Sequence, residues 1–253
     1  MRNIRLTLEY DGSNYAGWQV QDNALTVQAV VEAALAQLLK HPQRVTASGR
    51  TDAGVHALGQ VVNFHTAARV PLKGFVHGLN ALLPRDVTVR AAARVPEEFD
   101  SRRSATDKTY RYFLHCAPTP SAFARRTSWH LVRPLDLEAM RRGAAHLVGT
   151  HDFSAFRSSG CDAPHAVRQI HEVLLQERGE YVELSVRGNA FLRNMVRIIV
   201  GTLVEVGGGR RRADSIAKLL EDGDRVQAGI TAPPQGLFLV EVCYGEPPLE
   251  AYP

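Results

Sequence analysis

Cysteine is scarce in this chain of 253 residues, which contains only Cys116, Cys161 and Cys243. The three lie far apart and form no Cys-x-x-Cys pair, so the sequence supports neither a zinc knuckle nor a disulfide framework. This cysteine usage fits a reducing cytoplasm. No stretch approaches the roughly 18 apolar residues that a membrane span requires, and the charged, alternating N-terminus differs from an apolar secretory leader. We therefore expect a cytoplasmic protein without a membrane segment.

Several motifs that carry common chemistries are also missing. Asp52 and His56 lie four residues apart, but no second histidine or acidic residue follows at the spacing of a zinc site. The chain has neither the Gly-x-Ser-x-Gly elbow of many hydrolases nor a phosphate-binding loop ending in Gly-Lys-Ser/Thr. The spacing therefore implies no metal site, and the hydrolase and nucleotide-binding interpretations lack their motifs.

Arginine, by contrast, dominates the basic residues. Of 30 basic residues only four are lysine, and the formal net charge is +4. Arginine binds phosphate through two N–H groups and stacks on bases, so this balance is compatible with an RNA partner. A genome-wide preference for arginine explains it equally well. The arginines cluster at Arg102-Arg103, Arg125-Arg126, Arg141-Arg142 and Arg210-Arg211-Arg212. Each cluster fits either phosphate contacts or an ordinary solvated face.

Hydrophobic periodicity predicts both strands and helices in each half of the chain. In the first half it predicts strands at residues 4–10, 61–65 and 87–95 and helices at 27–39, capped by Thr26, and within 72–83. In the second half it predicts strands at 104–116, 167–176, 181–187 and 237–244 and helices after Asp136, from about 191 to 206 and at 215–220.

The charged segment 94–104 separates these halves, so we predict an N-terminal domain at 1–103 and a C-terminal domain at 104–253. Mixed strands and helices in both favour an α+β fold. We expect two abutting halves with a mainly antiparallel sheet rather than a doubly wound parallel one. A cleft between such halves is a natural place for an active site.

The segment ASGRTDAGVHALGQ, residues 47–60, concentrates small and polar residues around Asp52. A turn made tight by Gly49 and Gly54 would hold this carboxylate on the backbone, which suits a group that must lie close to a reacting carbon. Arg50 and His56 flank it. An ordinary turn of the Asp-Gly type, with loop charges beside it, is the competing interpretation.

The predicted helix at 191–206 carries Arg193 and Arg197 at the edge of its apolar stripe. This spacing would allow one guanidinium to be buried, and a buried arginine needs a carboxylate partner because an unpaired charge would cost several kcal/mol. Alternatively, both side chains extend to solvent.

Several blocks of the chain, in order and spacing, resemble the tRNA pseudouridine synthase A family. The blocks are LEYDGSNYAGWQ at residues 8–19, GRTDAGVHALGQV at 49–61, FDSRRSATDKTYRY at 99–112, HDFSAF at 151–156, GNAFLRNMVRIIVGTL at 188–203 and APPQGLFL at 232–239. Together they cover nearly the full chain, and as an ordered set they are far more specific than any one alone.

The resemblance implies a cofactor-free homodimer that isomerises uridine to pseudouridine at positions 38, 39 and 40 in the anticodon stem-loop of tRNA. It implies that Asp52 is the essential carboxylate, that Tyr110 is an active-site residue and that Arg197 pairs with the aspartate. Arg50 is implicated in moving the target base. For RNA binding we name Arg50, Tyr110, Arg102 and Arg103.

Three routes give Asp52 a role: attack on C1′, addition to C6, or assistance in removing a ribose proton. Each requires an ionised carboxylate, which a neighbouring cation favours. Tyr110 offers a face for stacking and a hydroxyl for proton transfer. The alternatives to an isomerase are a catalytically inactive tRNA-binding or folding module and a metal-free nuclease.

Overall fold

The computed structural model describes residues 1–161 and 163–253. The chain divides into two compact units, one formed by Met1–Thr106 with Phe238–Pro253 and the other by Asp107–Leu237. Most strand pairs are antiparallel, and α-helices accompany the strands in both units. The predicted α+β fold with a mainly antiparallel sheet is confirmed. No helix within the described ranges is long and apolar enough to cross a membrane.

The first unit contains a sheet and two helices. Its elements are β1 (Arg2–Tyr10), α1 (Val27–Leu39), β2 (Thr46–Ala47), β3 (His56–Thr66), α2 (Leu72–Asn80), β4 (Val87–Val95) and, after the second unit, β10 (Leu237–Tyr244) and β11 (Glu250–Tyr252). The strand order is β11-β4-β1-β3-β10, with β2 pairing β3. β1 buries Ile4, Leu6, Leu8 and Tyr10, as its alternation predicts. The Thr26 side chain caps α1 by accepting the Ala29 N–H, which confirms that helix start.

The second unit combines an antiparallel sheet with three helices. Its elements are β5 (Ala105–Cys116), β6 (Trp129–Leu131), α3 (Leu137–Ala145), β7 (Gly149–Asp152), β8 (Val167–Arg178), β9 (Tyr181–Gly188), α4 (Met195–Gly207) and α5 (Ser215–Asp222). The strand order is β5-β9-β8-β7, and β6 runs parallel to β5. α4 is buried along most of its length and packs against α3.

Two predicted element starts are wrong, and both lie beside candidate site residues. β3 begins at His56 rather than residue 61, because most of its residues are buried and no alternation marks its first part. α4 begins at Met195 rather than near residue 191, because Asn194 has φ 60°, outside the helical region. Arg193 therefore precedes the helix, and it does not share a helix face with Arg197 as we predicted.

Candidate active site

Asp52 lies in a tight turn directly before β3. The Asp52 carbonyl accepts the Val55 N–H at 3.1 Å, and Gly54, with φ 76°, supplies the left-handed residue that this turn requires. The predicted turn at Gly54 is confirmed. Asp52 itself is half-buried. Because its side chain is short, the position of its carboxylate follows the backbone of the turn closely.

The segment that follows β1 holds this turn through its backbone. The Trp18 N–H donates to the Thr51 carbonyl at 3.0 Å, and the Gly54 N–H donates to the Tyr15 carbonyl at 3.3 Å. Gly17, between these contacts, has φ 99°, and a Cβ there would lie only 2.7 Å from the Thr51 oxygen. The two backbones can approach this closely only because residue 17 is glycine.

Buried polar side chains hold the turn from the sheet side. The Tyr10 hydroxyl lies 2.8 Å from the Thr51 hydroxyl. Gln60, fully buried, donates through Nε2 to the Gly49 carbonyl at 2.8 Å and accepts from the Ser48 hydroxyl at 2.7 Å. Burial raises the pKa of Tyr10 to about 12, against the opposing effect of its hydrogen bonds with Thr51 and Gln60. Tyr10 therefore stays protonated at neutral pH.

The sequence alone predicted no role for Tyr10, Gly17 or Gln60 in holding the turn. The alternation of β1 predicted only that Tyr10 is buried, and the hydrogen bonds of Tyr10 with Thr51 and Gln60 join residues 41 and 50 positions apart. One available signal was the block at 8–19, whose resemblance to the family included Tyr10 and Gly17.

His56 belongs to the interior of the first unit. It is 1% exposed, its ring stacks on that of Phe238 at 4.5 Å between centroids, and its Nδ1 accepts the Gly12 N–H at 3.1 Å. His56 therefore lies on a buried strand, so its predicted place in the loop beside Asp52 is wrong.

Arg50, Arg102 and Arg103 are exposed in the first unit. The backbone N–H groups of Arg102 and Arg103 both donate to Oδ1 of Asp100 at 2.9 Å. Their turn thus has a defined shape that does not depend on either guanidinium.

A buried asparagine pair anchors the same turn to the sheet. Asn63 accepts the Ser101 N–H at 2.9 Å and donates to Oδ1 of Asn3 at 3.0 Å. Asn3 and Asn63 also both donate to the Phe99 carbonyl. Since Asn3, Asn63 and Ser101 are at most 4% exposed, these bonds form in a dry environment, where they are expensive to leave unmade.

In the second unit, Tyr110 lies on β5 and is 8% exposed. Its ring meets that of Phe191 edge to face, with centroids 5.1 Å apart. Two residues further along the strand, the Tyr112 hydroxyl donates to the Pro233 carbonyl at 2.7 Å. Burial raises the pKa of Tyr112 far above its ordinary value, and the positive charge of Arg197 opposes that rise. Tyr112 therefore keeps its proton and serves as a hydrogen-bond donor.

Arg197 lies in the first turn of α4 and is half-buried. Its Nε donates to the Ala232 carbonyl at 2.7 Å, and its Nη1 donates to Oδ1 of Asn194 at 2.9 Å. Arg193 is exposed and donates to the Gly160 carbonyl at 3.2 Å. The two arginines therefore behave differently: the Arg197 guanidinium is held against protein oxygens, and Arg193 lies at the surface.

The candidate residues divide between the units. Asp52, Arg50, Arg102 and Arg103 belong to the first, and Tyr110 and Arg197 to the second. Among these candidates, Asp52 is placed by its turn in the first unit, and Arg197 is held by Ala232 and Asn194 in the second.

Comparisons with known proteins agree along almost the whole chain. A family profile described as tRNA pseudouridine synthase matches residues 7–102 and 144–245. A protein of Geotalea uraniireducens (strain Rf4) named tRNA pseudouridine synthase A is 52% identical over 244 residues, which is 96% of this chain and 100% of that protein. A protein of the same name from Myxococcus xanthus is 51% identical, over 98% of this chain and 94% of its own length.

Proposed function

The chain belongs to the tRNA pseudouridine synthase family, and from that premise we propose that it acts on uridines 38, 39 and 40 of the anticodon stem-loop, with Asp52 as the essential carboxylate. Its activity is the isomerisation of uridine to pseudouridine in tRNA. The observation that carries the proposed role of Asp52 is the turn with its preceding residue, residues 51–55, which is hydrogen-bonded from both β1 and the segment that follows it. An inactive tRNA-binding module receives no support from these relatives.

The reaction conserves every atom of the nucleoside. The N1–C1′ bond breaks, the base turns while it is held, and a C5–C1′ bond forms; C5 then loses its proton and N1 gains one. A stacked base cannot reach a protein carboxylate, so the target nucleotide has to leave the stack, at a cost of a few kcal/mol. Contacts with phosphates offset that cost, and we assign them to Arg102 and Arg103, with Arg50 moving the base.

Tyr110 and Arg197 complete the proposed site. An aromatic face supports an extruded pyrimidine by stacking, and the Tyr110 hydroxyl is suited to proton transfer. We assign to Arg197 the pairing with the Asp52 carboxylate that the family resemblance implies, whether that carboxylate acts at C1′, at C6 or on a ribose proton. We also propose that the enzyme is a cytoplasmic homodimer, since one copy can hold the tRNA body while the other supplies the active site.

Mapping of the product tests this function. An unmodified tRNA transcript is incubated with the purified enzyme, and pseudouridine is located by chemical derivatisation and reverse transcription. We expect product at positions 38, 39 and 40 and none in transcripts whose uridines there are replaced by cytidine. Product only at other positions would contradict the proposed targets. Turnover by Asp52→Asn at the wild-type rate would contradict the proposed role of Asp52.

A further inference from the structure

Asn194 has a backbone conformation that few side chains adopt. Of the residues that the structure describes, two besides glycine have positive φ: Lys40 at 64° and Asn194 at 60°. Asparagine tolerates this region better than most residues, so the backbone alone would explain an asparagine at position 194. It does not explain what the side chain contacts.

The contacts of this side chain are unusual for its place in the helix. Asn194 precedes the first residue of α4, where an asparagine oxygen normally accepts a backbone N–H of the first turn. The Asn194 side chain accepts no backbone N–H from the described first turn of α4. Its Oδ1 instead accepts Nη1 of Arg197 at 2.9 Å. The side chain thus contacts the Arg197 guanidinium instead of capping the helix.

The other end of the Asn194 amide is also fixed. Nδ2 donates to the Ser158 hydroxyl at 3.1 Å, and the Ser158 hydroxyl in turn donates to the Arg193 carbonyl at 3.3 Å. With the amide nitrogen held by Ser158, the amide oxygen faces Arg197. The Ala232 carbonyl holds Nε of the same guanidinium. Two bonded donors on one planar group set its orientation, and therefore the direction of its remaining N–H groups.

We propose that Asn194 is a positioning residue whose side-chain oxygen fixes the orientation in which the Arg197 guanidinium acts during catalysis. This inference rests on the proposed role of Arg197. An arginine side chain has many rotamers, and a misplacement of about 1 Å at a reacting centre can cost about a hundredfold in rate. Asn194 therefore affects the chemical step and leaves the binding of tRNA unchanged.

The test compares Asn194→Gly with Lys40→Gly. Glycine adopts positive φ freely, so both variants keep their backbone, and only Asn194→Gly removes a contact with Arg197. We expect the single-turnover rate of Asn194→Gly at saturating enzyme to fall about tenfold, with the Kd for tRNA within about twofold of wild type. Lys40→Gly should match wild type in both. An Asn194→Gly rate within about twofold of wild type would overturn the proposal.

A double variant separates positioning from a general structural effect. If Asn194 acts through Arg197, adding Asn194→Gly to Arg197→Met causes no further loss of rate; losses that multiply would overturn the proposal. Arg197→Met alone with the wild-type rate would instead refute the proposed role of Arg197. Should Asn194→Gly unfold, Ser158→Ala replaces it, because it leaves the backbone intact and releases the amide; we expect a loss of about threefold, and no loss would overturn the proposal.

Discussion

Asp52 and Arg197 are positioned by different means. The turn that carries Asp52 is held mainly by its backbone: the Thr51 carbonyl and the Gly54 N–H pair with the segment around Gly17, and Gln60 holds the Gly49 carbonyl. Arg197 lies on a regular helix whose backbone needs no such support. There the guanidinium itself is held, by an asparagine oxygen and a backbone carbonyl.

The difference follows from the length of the two side chains. An aspartate carboxylate lies close to its backbone, so fixing the turn fixes the charge. An arginine carries its charge at the end of a flexible stem, so the backbone alone does not fix it. We therefore expect changes to the backbone and contacts that support the Asp52 turn to lower stability and activity together, and changes around Arg197 to lower activity more than stability.

Among changes to the groups that surround or pair with Asp52, the largest effect is expected from Arg197→Met, which keeps an apolar stem and removes the guanidinium. We expect the rate of the chemical step to fall about a hundredfold. The thermal midpoint should fall by about 4–8 °C, since the hydrogen bonds to Ala232 and Asn194 are lost at about 1 kcal/mol each. Single-turnover kinetics and a melting curve measure both. A large loss of stability with little loss of rate would reverse the proposed contrast.

Gly17→Ala tests the backbone contacts that support the Asp52 turn, rather than a charged side chain. The new Cβ would lie 2.7 Å from the Thr51 oxygen at a φ of 99°, so we expect unfolding free energy to fall by about 2–3 kcal/mol and activity to fall about thirtyfold. Gly179→Ala is the matched control, since that glycine also has positive φ but its added Cβ meets nothing within 4 Å. Equal effects of the two substitutions on activity would refute the support assigned to Gly17.

Replacing Arg102 and Arg103 together by alanine is expected to act on binding alone. The Asp100 carboxylate accepts their backbone N–H groups, so the turn survives. We expect the Kd for tRNA to rise about tenfold. In a plot of the logarithm of the association constant against the logarithm of salt concentration, the slope should become less steep by about one for each lost phosphate contact. The variant Arg141→Ala with Arg142→Ala makes the same charge change elsewhere. Equal losses in both would show a nonspecific effect of charge.

The smallest effect is expected from Tyr10→Phe, which removes one hydroxyl beneath the turn. We expect a loss of about 1 kcal/mol of stability at neutral pH and about threefold in rate. The pKa of Tyr10 is raised from 10 to about 12 in the folded protein, so its stabilisation is fully present below pH 10 and is lost as the pH rises toward 12. The stability difference between wild type and Tyr10→Phe should therefore shrink above pH 10. A stability difference that stays constant above pH 10 would contradict the stabilising role assigned to the protonated Tyr10 hydroxyl.

Local pattern predicted much of the fold. The bounds of α1, β4 and β10 agree with their periodicity, because in each the apolar residues follow one local period. The start of β3 was not predictable in this way, since burial on both faces removes alternation. The start of α4 was hidden for the opposite reason: apolar residues before Asn194 continue the helical spacing although the backbone does not.

The candidate site was likewise only partly predictable from local sequence pattern. The turn that carries Asp52 could be predicted from small and polar residues close in sequence. The roles of Asp52, Tyr110 and Arg197 came from resemblance and stay predictions. The contacts of Gln60 with Gly49 and of Asn194 with Arg197 depend on hydrogen-bond geometry between folded segments, which residue spacing does not encode.

Asp52→Glu tests most directly whether the turn positions the carboxylate that we propose to be catalytic. The substitution keeps the negative charge and moves it outward by one methylene group, about 1.5 Å. We predict that the single-turnover rate falls at least about a hundredfold, while the Kd for tRNA and the melting temperature stay at their wild-type values. A glutamate variant that forms pseudouridine at the wild-type rate would contradict the account, because the placement of the carboxylate by the turn would then be irrelevant to the reaction.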